Sequence, residues 1–198
     1  MIAARQMRES RWHFDFGNGF HGPVYLNPHQ LFRYPSTIWR FAQDLLDLLP
    51  ASIVDATDVV TGPVTGGALL AHTVAGLLDS RRAITRPPTL FAPFTRGMDS
   101  GGERAAHALT PFYQRLVTGR KVLVVDDVRN TGQTQAHCVG LVRKAGGAVL
   151  ATAEIYDRLE AMVDAGVPNF ALAEYKAPDN VPAAACLLCK AGVPVTTF

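Results

Sequence analysis

Apolar side chains recur at helical spacing soon after the start of the chain. Ile38, Phe41, Ala42, Leu45, Leu46 and Leu49 share one face, which predicts a helix over 36–49 with that face buried. Ser36 is placed to cap it and Pro50 to stop it. Beyond Pro50, short apolar runs alternate with helical stretches. Asp58 to Thr61 predicts a strand, 62–67 (GPVTGG) a loop and 68–79 a helix. Thr89 to Thr95 predicts a second strand and Lys121 to Val125 a third. A helix is expected over 133–145, closed by Gly146-Gly147, then strands at Ala148 to Tyr156 and Phe170 to Tyr175. The third run is apolar throughout after its first residue, the pattern of a central parallel strand covered on both faces. Strand–helix alternation with short links predicts an α/β fold, a mainly parallel sheet flanked by helices. Ligands of such sheets lie at the carboxyl ends of the strands. The loops after Thr61, Thr95, Val125 and Tyr156 would then face one site. Residues 96–103 (RGMDSGGE) lack apolar periodicity and read as a mobile loop, and residues 1–35 as an irregular cap with short extended pieces.

Composition narrows this picture. The chain has 198 residues, 48% hydrophobic and 18% charged, enough for one sizeable core and too few for two comfortable domains. A net charge of +2 demands no basic face, so a nucleic-acid coat is not expected. Cys138, Cys186 and Cys189 do not form a disulfide framework. Arg5, Arg8, Glu9 and Arg11 break up any leader-like start, and no apolar run reaches membrane-spanning length; the cytoplasm is the expected compartment. The chain's four lysines, Lys121, Lys144, Lys176 and Lys190, all lie at or after position 121. Before that point cationic chemistry falls to arginine, or to histidine where it is protonated.

The stretch VLVVDDVRNTGQT, residues 122–134, carries the most chemistry. Asp126 and Asp127 follow a buried strand, and a loop with Thr131, Gly132 and Thr134 leads into a helix. Main-chain N–H groups at a helix N-terminus are ready donors for a phosphate. Adjacent acids at a strand end can accept hydrogen bonds from vicinal hydroxyls. The segment fits a sugar phosphate, with the acids on the ribose diol and the loop on the phosphate.

This string resembles the ribose-phosphate signature of the type I phosphoribosyltransferases, in which hydrophobic residues run into two acids and a Thr-Gly-x-Thr turn. DVVTGPVTGGALLAHTVAGLL, residues 58–78, resembles the same family's pyrophosphate loop and following helix. There a glycine-rich turn lets main-chain amides meet a diphosphate. FDFGNGFHGPVYLNP, residues 14–28, looks like the N-terminal pattern of the orotate branch. Asp157-Arg158 matches the position where that branch carries Asp-Arg, and the arginine is expected to meet the base carboxylate as a bidentate fork. Purine-linked members also carry acid-Arg there. The resemblance covers about residues 14–175.

The resemblance implies a type I phosphoribosyltransferase domain over 1–198, with 1–35 and 176–198 as a small hood and 96–110 as a flexible loop. It implies transfer between 5-phosphoribosyl 1-diphosphate and a nucleobase, orotate preferred. A purine-type enzyme and a non-catalytic regulatory protein that binds the diphosphate sugar are the alternatives. Asp126, Asp127 and Arg104 are the expected catalytic residues. Thr61, Gly62, Pro63, Val64, Thr65 and Gly66 are expected at the diphosphate, with Arg96 assisting the leaving group. Arg129, Asn130, Thr131, Gly132, Gln133 and Thr134 are expected at the 5-phosphate, and Arg158 at the base. Mg²⁺ held mainly through the diphosphate sugar, and a homodimer, are implied as well, with no nucleic-acid or membrane partner and no metal held by the protein alone.

One departure stands out. Orotate enzymes place an Arg-Lys and a further lysine at the mobile loop, whereas here Arg96 is followed by Gly97 and the remaining cations are Arg104 and His107. His107 could help as an acid at the leaving group, or reads as a plain helix residue, the preferred reading. Cys186 and Cys189 form a Cys-x-x-Cys with no second ligand pair in sight, and read as a small apolar turn. Cys138 reads as core. His13, His21, His29 and His72 show no metal-ligand spacing and read as structural or exposed.

Overall fold

Two short strands open the described chain, β1 (Phe14–Asp15) and β2 (Phe20–Gly22), paired antiparallel with Phe14 opposite Gly22 and Asp15 opposite His21. They belong to a unit made from residues 1–27 and 176–198, while residues 28–175 form a second unit. The structure, a computed structural model, describes residues 13–15, 19–24, 32–96, 107–159, 163–176 and 180–197.

The second unit begins with α1 (Pro35–Leu48) and α2 (Ala51–Ala56), followed by β3 (Val59–Thr61), α3 (Gly66–Arg81) and β4 (Leu90–Phe91). Next come β5 (Thr95–Arg96), β6 (His107–Ala108), α4 (Pro111–Val117), β7 (Lys121–Arg129), α5 (Gln133–Lys144), β8 (Ala148–Asp157) and β9 (Asn169–Glu174). Five strands form one parallel sheet in the order β4-β3-β7-β8-β9. The unalternating run of β7 has a direct cause. Leu123 and Val125 join a core with Leu45, Leu70 and Val74 of α1 and α3, while Val122 and Val124 join another with Val117, Cys138 and Val142 of α4 and α5. Both faces of the strand are thus dry. No helix among the described residues is long and apolar enough to cross a membrane.

Several expectations shift. α1 starts one residue early, with Pro35 in its first turn, Tyr34 as N-cap and no side-chain cap bond, so Ser36 lies inside the helix. Pro50 ends α1 and at once caps α2, which is too short for its periodicity to show in sequence; the same holds for α4 behind Thr110-Pro111. The strand expected over 89–95 divides. β4 stays in the sheet, whereas β5 pairs antiparallel with β6. β7 continues four residues past Val125, because 126, 128 and 129 pair with 154, 156 and 157 of β8. The two acids therefore sit within the strand, not in a turn after it.

In the first unit, β10 (Val181–Pro182) pairs with β2, and a short helix, α6 (Leu187–Lys190), follows with Cys186 as N-cap. The chain's end is clipped to β1: Thr196 N–H donates to His13 O at 2.7 Å, and Asp15 N–H to Thr196 O at 3.0 Å.

Candidate functional site

The carboxyl edge of the sheet brings Asp126 and Asp127 against the 62–67 loop. Backbone N–H groups fix the acids: Asp127 N–H donates to Asp126 Oδ1 at 2.9 Å, and Val128 N–H to Asp127 Oδ1 at 3.0 Å. Asp126 is buried and Asp127 half-buried. The glycines opposite them leave no room for a side chain. A Cβ on Gly67 would lie 2.8 Å from Asp126 Oδ1 and 2.6 Å from Pro63 Cδ, and one on Gly66 would strike the Asp127 carboxylate. A Cβ on Gly62 would lie 2.6 Å from Val125 O. Two distant motifs, residues 62–67 and 126–127, are therefore one packed surface. Burial, then the neighbouring Asp127 charge and a hydrogen bond to its side chain, push the Asp126 carboxyl well above the usual carboxylate range. Asp126 resists ionising beside a charged Asp127.

The 62–67 loop ends in α3, whose first-turn Ala68 N–H donates back to Pro63 O at 2.8 Å; the N–H groups at such a helix start are general donors for an anion. Thr65 is exposed and Val64 half-buried. Thr61 and Pro63 serve the sheet instead. The Thr61 hydroxyl donates to Ala92 O, and Pro63 bridges to Phe94. This corrects the expectation of Thr61 as a direct ligand: its side chain is fully buried with its donor used. Val64 N–H donates to Phe94 O at 3.2 Å.

After the acids, Asn130, Thr131, Gln133 and Thr134 are exposed around buried Gly132. Gly132 is left-handed (φ 80°) and precedes α5, and a Cβ there would lie 2.8 Å from Val163 O. Arg129 departs from its expected place in this loop. It ends β7, and its Nη1 donates to Asp157 Oδ2 at 2.9 Å with both side chains largely buried. The guanidinium is committed to a cross-strand ion pair. Arg158 is buried, its Nη1 donating to Asn130 Oδ1 at 3.3 Å. It thus joins the loop after β8 to the loop after β7.

Arg96 is exposed and lies opposite His107 in the β5–β6 pair. His107 is a strand residue, not a helix residue, and its Nε2 lies 3.3 Å from Val64 O of the glycine loop. His107 thus borders the 62–67 loop, with Arg96 across from it in the strand pair. Arg104 and Gly97 lie outside the described residues.

Glu154 was not singled out from sequence, although an acid in the middle of an apolar strand was the visible signal. It is fully buried in β8, opposite Asp126 in register, and accepts from Gln135 Nε2 and Asn169 Nδ2, each at 2.8 Å. Burial pushes its carboxyl up to about 7, against the lowering pull of those two donors. In the unfolded chain it titrates near 4.5. Between these values the folded state holds a proton that the unfolded chain has lost, so stability falls as pH rises through 7. We expect Glu154→Gln to match the parent in urea unfolding near pH 4.5 and to exceed it by up to about 3 kcal/mol at pH 8. A difference that does not widen with pH would count against a buried, neutral Glu154.

In the other unit the structure corrects a further expectation. Cys186 and Cys189 do have a partner pair. His13, His21, Cys186 and Cys189 place one ligand atom each within 4.8 Å of all the others. The spacing concealed this, because the two pairs come from opposite ends of the chain.

No family model matches the chain. It is 30% identical over 176 residues to an orotate phosphoribosyltransferase of Caulobacter vibrioides, covering 89% of this chain and 81% of that one. Its fold is similar to the crystal structure of orotate phosphoribosyltransferase from Aeropyrum pernix, with TM-score 0.57 and 20% identity over 99% of this chain and 89% of the other. It is equally similar in fold to adenine phosphoribosyltransferase from Thermoanaerobacter pseudethanolicus, with TM-score 0.57 and 17% identity over 76% and 88%.

Proposed function

The chain belongs to the orotate phosphoribosyltransferase family, and from that premise we propose that it transfers the phosphoribosyl group of 5-phosphoribosyl 1-diphosphate to orotate, as a homodimer in the cytoplasm. In this reaction the bond from the sugar's anomeric carbon to diphosphate breaks, and a ring nitrogen of the base forms the new bond. The products are orotidine 5'-phosphate and diphosphate. The observation that carries the reading is the seating of Gly66 and Gly67 on the carboxylates of Asp127 and Asp126. It supports a diphosphate cradle beside a diol acceptor, as a diphosphate sugar requires.

Each residue then has a task. Asp127 and Asp126 accept from the ribose hydroxyls and offset the cationic character that the ring gains as diphosphate departs. The amides and hydroxyls of 130–134 take the 5-phosphate, and the amides of 65–67 take the diphosphate. Arg96 and Arg104 supply positive charge to the leaving group, a role guanidinium performs well. Arg158 takes the carboxylate of orotate. Asp126 and Asp127 offer the hard carboxylate oxygens that suit Mg²⁺, which would be held mainly through the diphosphate sugar and would supply positive charge beside the diphosphate.

A steady-state assay with orotate and the diphosphate sugar tests the reading, run beside adenine, guanine and hypoxanthine. Orotidylate formation is expected. Turnover with a purine alone would overturn the choice of base. Calorimetric binding of the diphosphate sugar with no turnover on any base would overturn catalysis.

A further inference from the structure

The buried centre of the terminal unit is chemically unusual. Among its described residues, His13, His21 and Cys186 are buried, and Cys186 is its one contribution to the buried hydrophobic set. Both aliphatic cores lie entirely in the other unit. Among its described residues the terminal unit's regular structure is correspondingly slight: strands of two or three residues, a single 3-10 turn and a helix of four. A unit this small, with no apolar core among its described residues, calls for another source of cohesion.

The four candidate ligand atoms are arranged to provide one. His13 Nε2 lies 2.9 Å from His21 Nδ1, 3.3 Å from Cys186 Sγ and 3.7 Å from Cys189 Sγ, and Cys189 Sγ lies 3.3 Å from His21 Nδ1. A tetrahedral zinc with ordinary Zn–N and Zn–S bonds sets such edges at about 3.3–3.8 Å. The outward nitrogens are also placed as outer-shell groups. His13 Nδ1 donates to Val193 O at 3.0 Å, which leaves its Nε2 as a bare lone pair pointing inward. His21 Nε2 lies 3.9 Å from Asp15 Oδ1. Two imidazoles and two thiols favour zinc over the hard cations, which seek oxygen.

We propose that His13, His21, Cys186 and Cys189 bind one structural Zn²⁺ that fastens the N-terminal segment of the chain to its C-terminal segment. All four positions would be filled by protein, leaving none for water or substrate, so the ion holds structure and performs no chemistry. The rival is a metal-free cluster in which His21 Nδ1–H donates to His13 Nε2 and both thiols stay protonated. This proposal does not depend on the phosphoribosyl reading, since no residue of that site takes part.

Elemental analysis of the full chain, purified without a metal-affinity tag and dialysed against zinc-free buffer, is expected to give about one zinc per chain. Cys186→Ser and His13→Ala should each lower it severalfold, while Cys138→Ala should not change it. Because those variants could misfold, the parent chain gives a second readout. Replacing zinc by Co²⁺ should produce the visible bands of a tetrahedral site with thiolate-to-cobalt charge transfer. Alkylation of exposed Cys189 should be slow until a chelator is added. Absence of zinc, no cobalt spectrum, and fast Cys189 alkylation without chelator would overturn the site in favour of the metal-free cluster.

Discussion

Asp127→Asn should reduce kcat/KM for the diphosphate sugar on the order of 10³-fold, and Asp126→Asn by only about tenfold. The asymmetry comes from the two environments. Asp126 is buried and resists ionising because of its burial and the Asp127 charge. Its Oδ1 is occupied by the Asp127 N–H. An asparagine resembles its protonated form in shape and keeps that acceptor. Asp127 is half-buried and faces the glycine loop, so it carries the charge that the ring's developing cation meets. Changing both residues should abolish binding of the diphosphate sugar in calorimetry. Unchanged affinity in the double variant would remove these acids from the site altogether, whichever base is used.

Much of the fold could be read from residue patterns, because the physics involved is local. The dry run at 122–125 announced a central strand, and both of its faces are indeed covered. Glycine-closed α5 and the amphipathic face of α1 also stood out. What escaped was short or cooperative. α2 and α4 span six and seven residues, less than two full turns each, so no periodicity could reveal them. The extension of β7 through Arg129 escaped because Asp126, Asp127 and Arg129 look like turn residues. Pairing with β8 outweighs that local preference.

The candidate site divides along the same line. Its glycine loop and acid pair were each visible as motifs, since both depend on neighbouring residues. Their contact, with Gly66 and Gly67 pressed on the carboxylates, is a property of the folded sheet alone. Thr61 shows the limit in the other direction. As a hydroxyl beside a glycine loop it reads as a ligand, yet it is spent on Ala92 O in the neighbouring strand connection. The Cys-x-x-Cys pair was visible too, but its histidine partners are more than 160 residues away in sequence. Local spacing cannot show a site closed by the chain's two ends. The lysine-free first half retains its interest. Arg96 pairs opposite His107, whose Nε2 lies 3.3 Å from Val64 O, so an arginine and a histidine, and no lysine, stand in the strand pair beside the glycine loop.

Asp157→Ala should lower stability by about 3–5 kcal/mol in urea unfolding, a large share of the 5–15 kcal/mol typical of a folded domain. Asp157 is 3% exposed and accepts from Arg129 Nη1 and from Leu159 N–H, each at 2.9 Å. Arg129 lies directly across the β7–β8 ladder, and its Nε already has no hydrogen-bond partner. Removing the carboxylate therefore leaves a buried guanidinium with its charge uncompensated, and strands a backbone donor as well. The paired replacement Arg129→Met with Asp157→Leu should cost much less, because it removes the buried charge and its partner together. The same pair of variants decides what Arg129 does. An ion-pair lock predicts that the double variant keeps both its stability and its affinity for the diphosphate sugar. If stability recovers but affinity falls tenfold or more, Arg129 leaves Asp157 to meet the 5-phosphate, and its role as a lock between β7 and β8 is refuted.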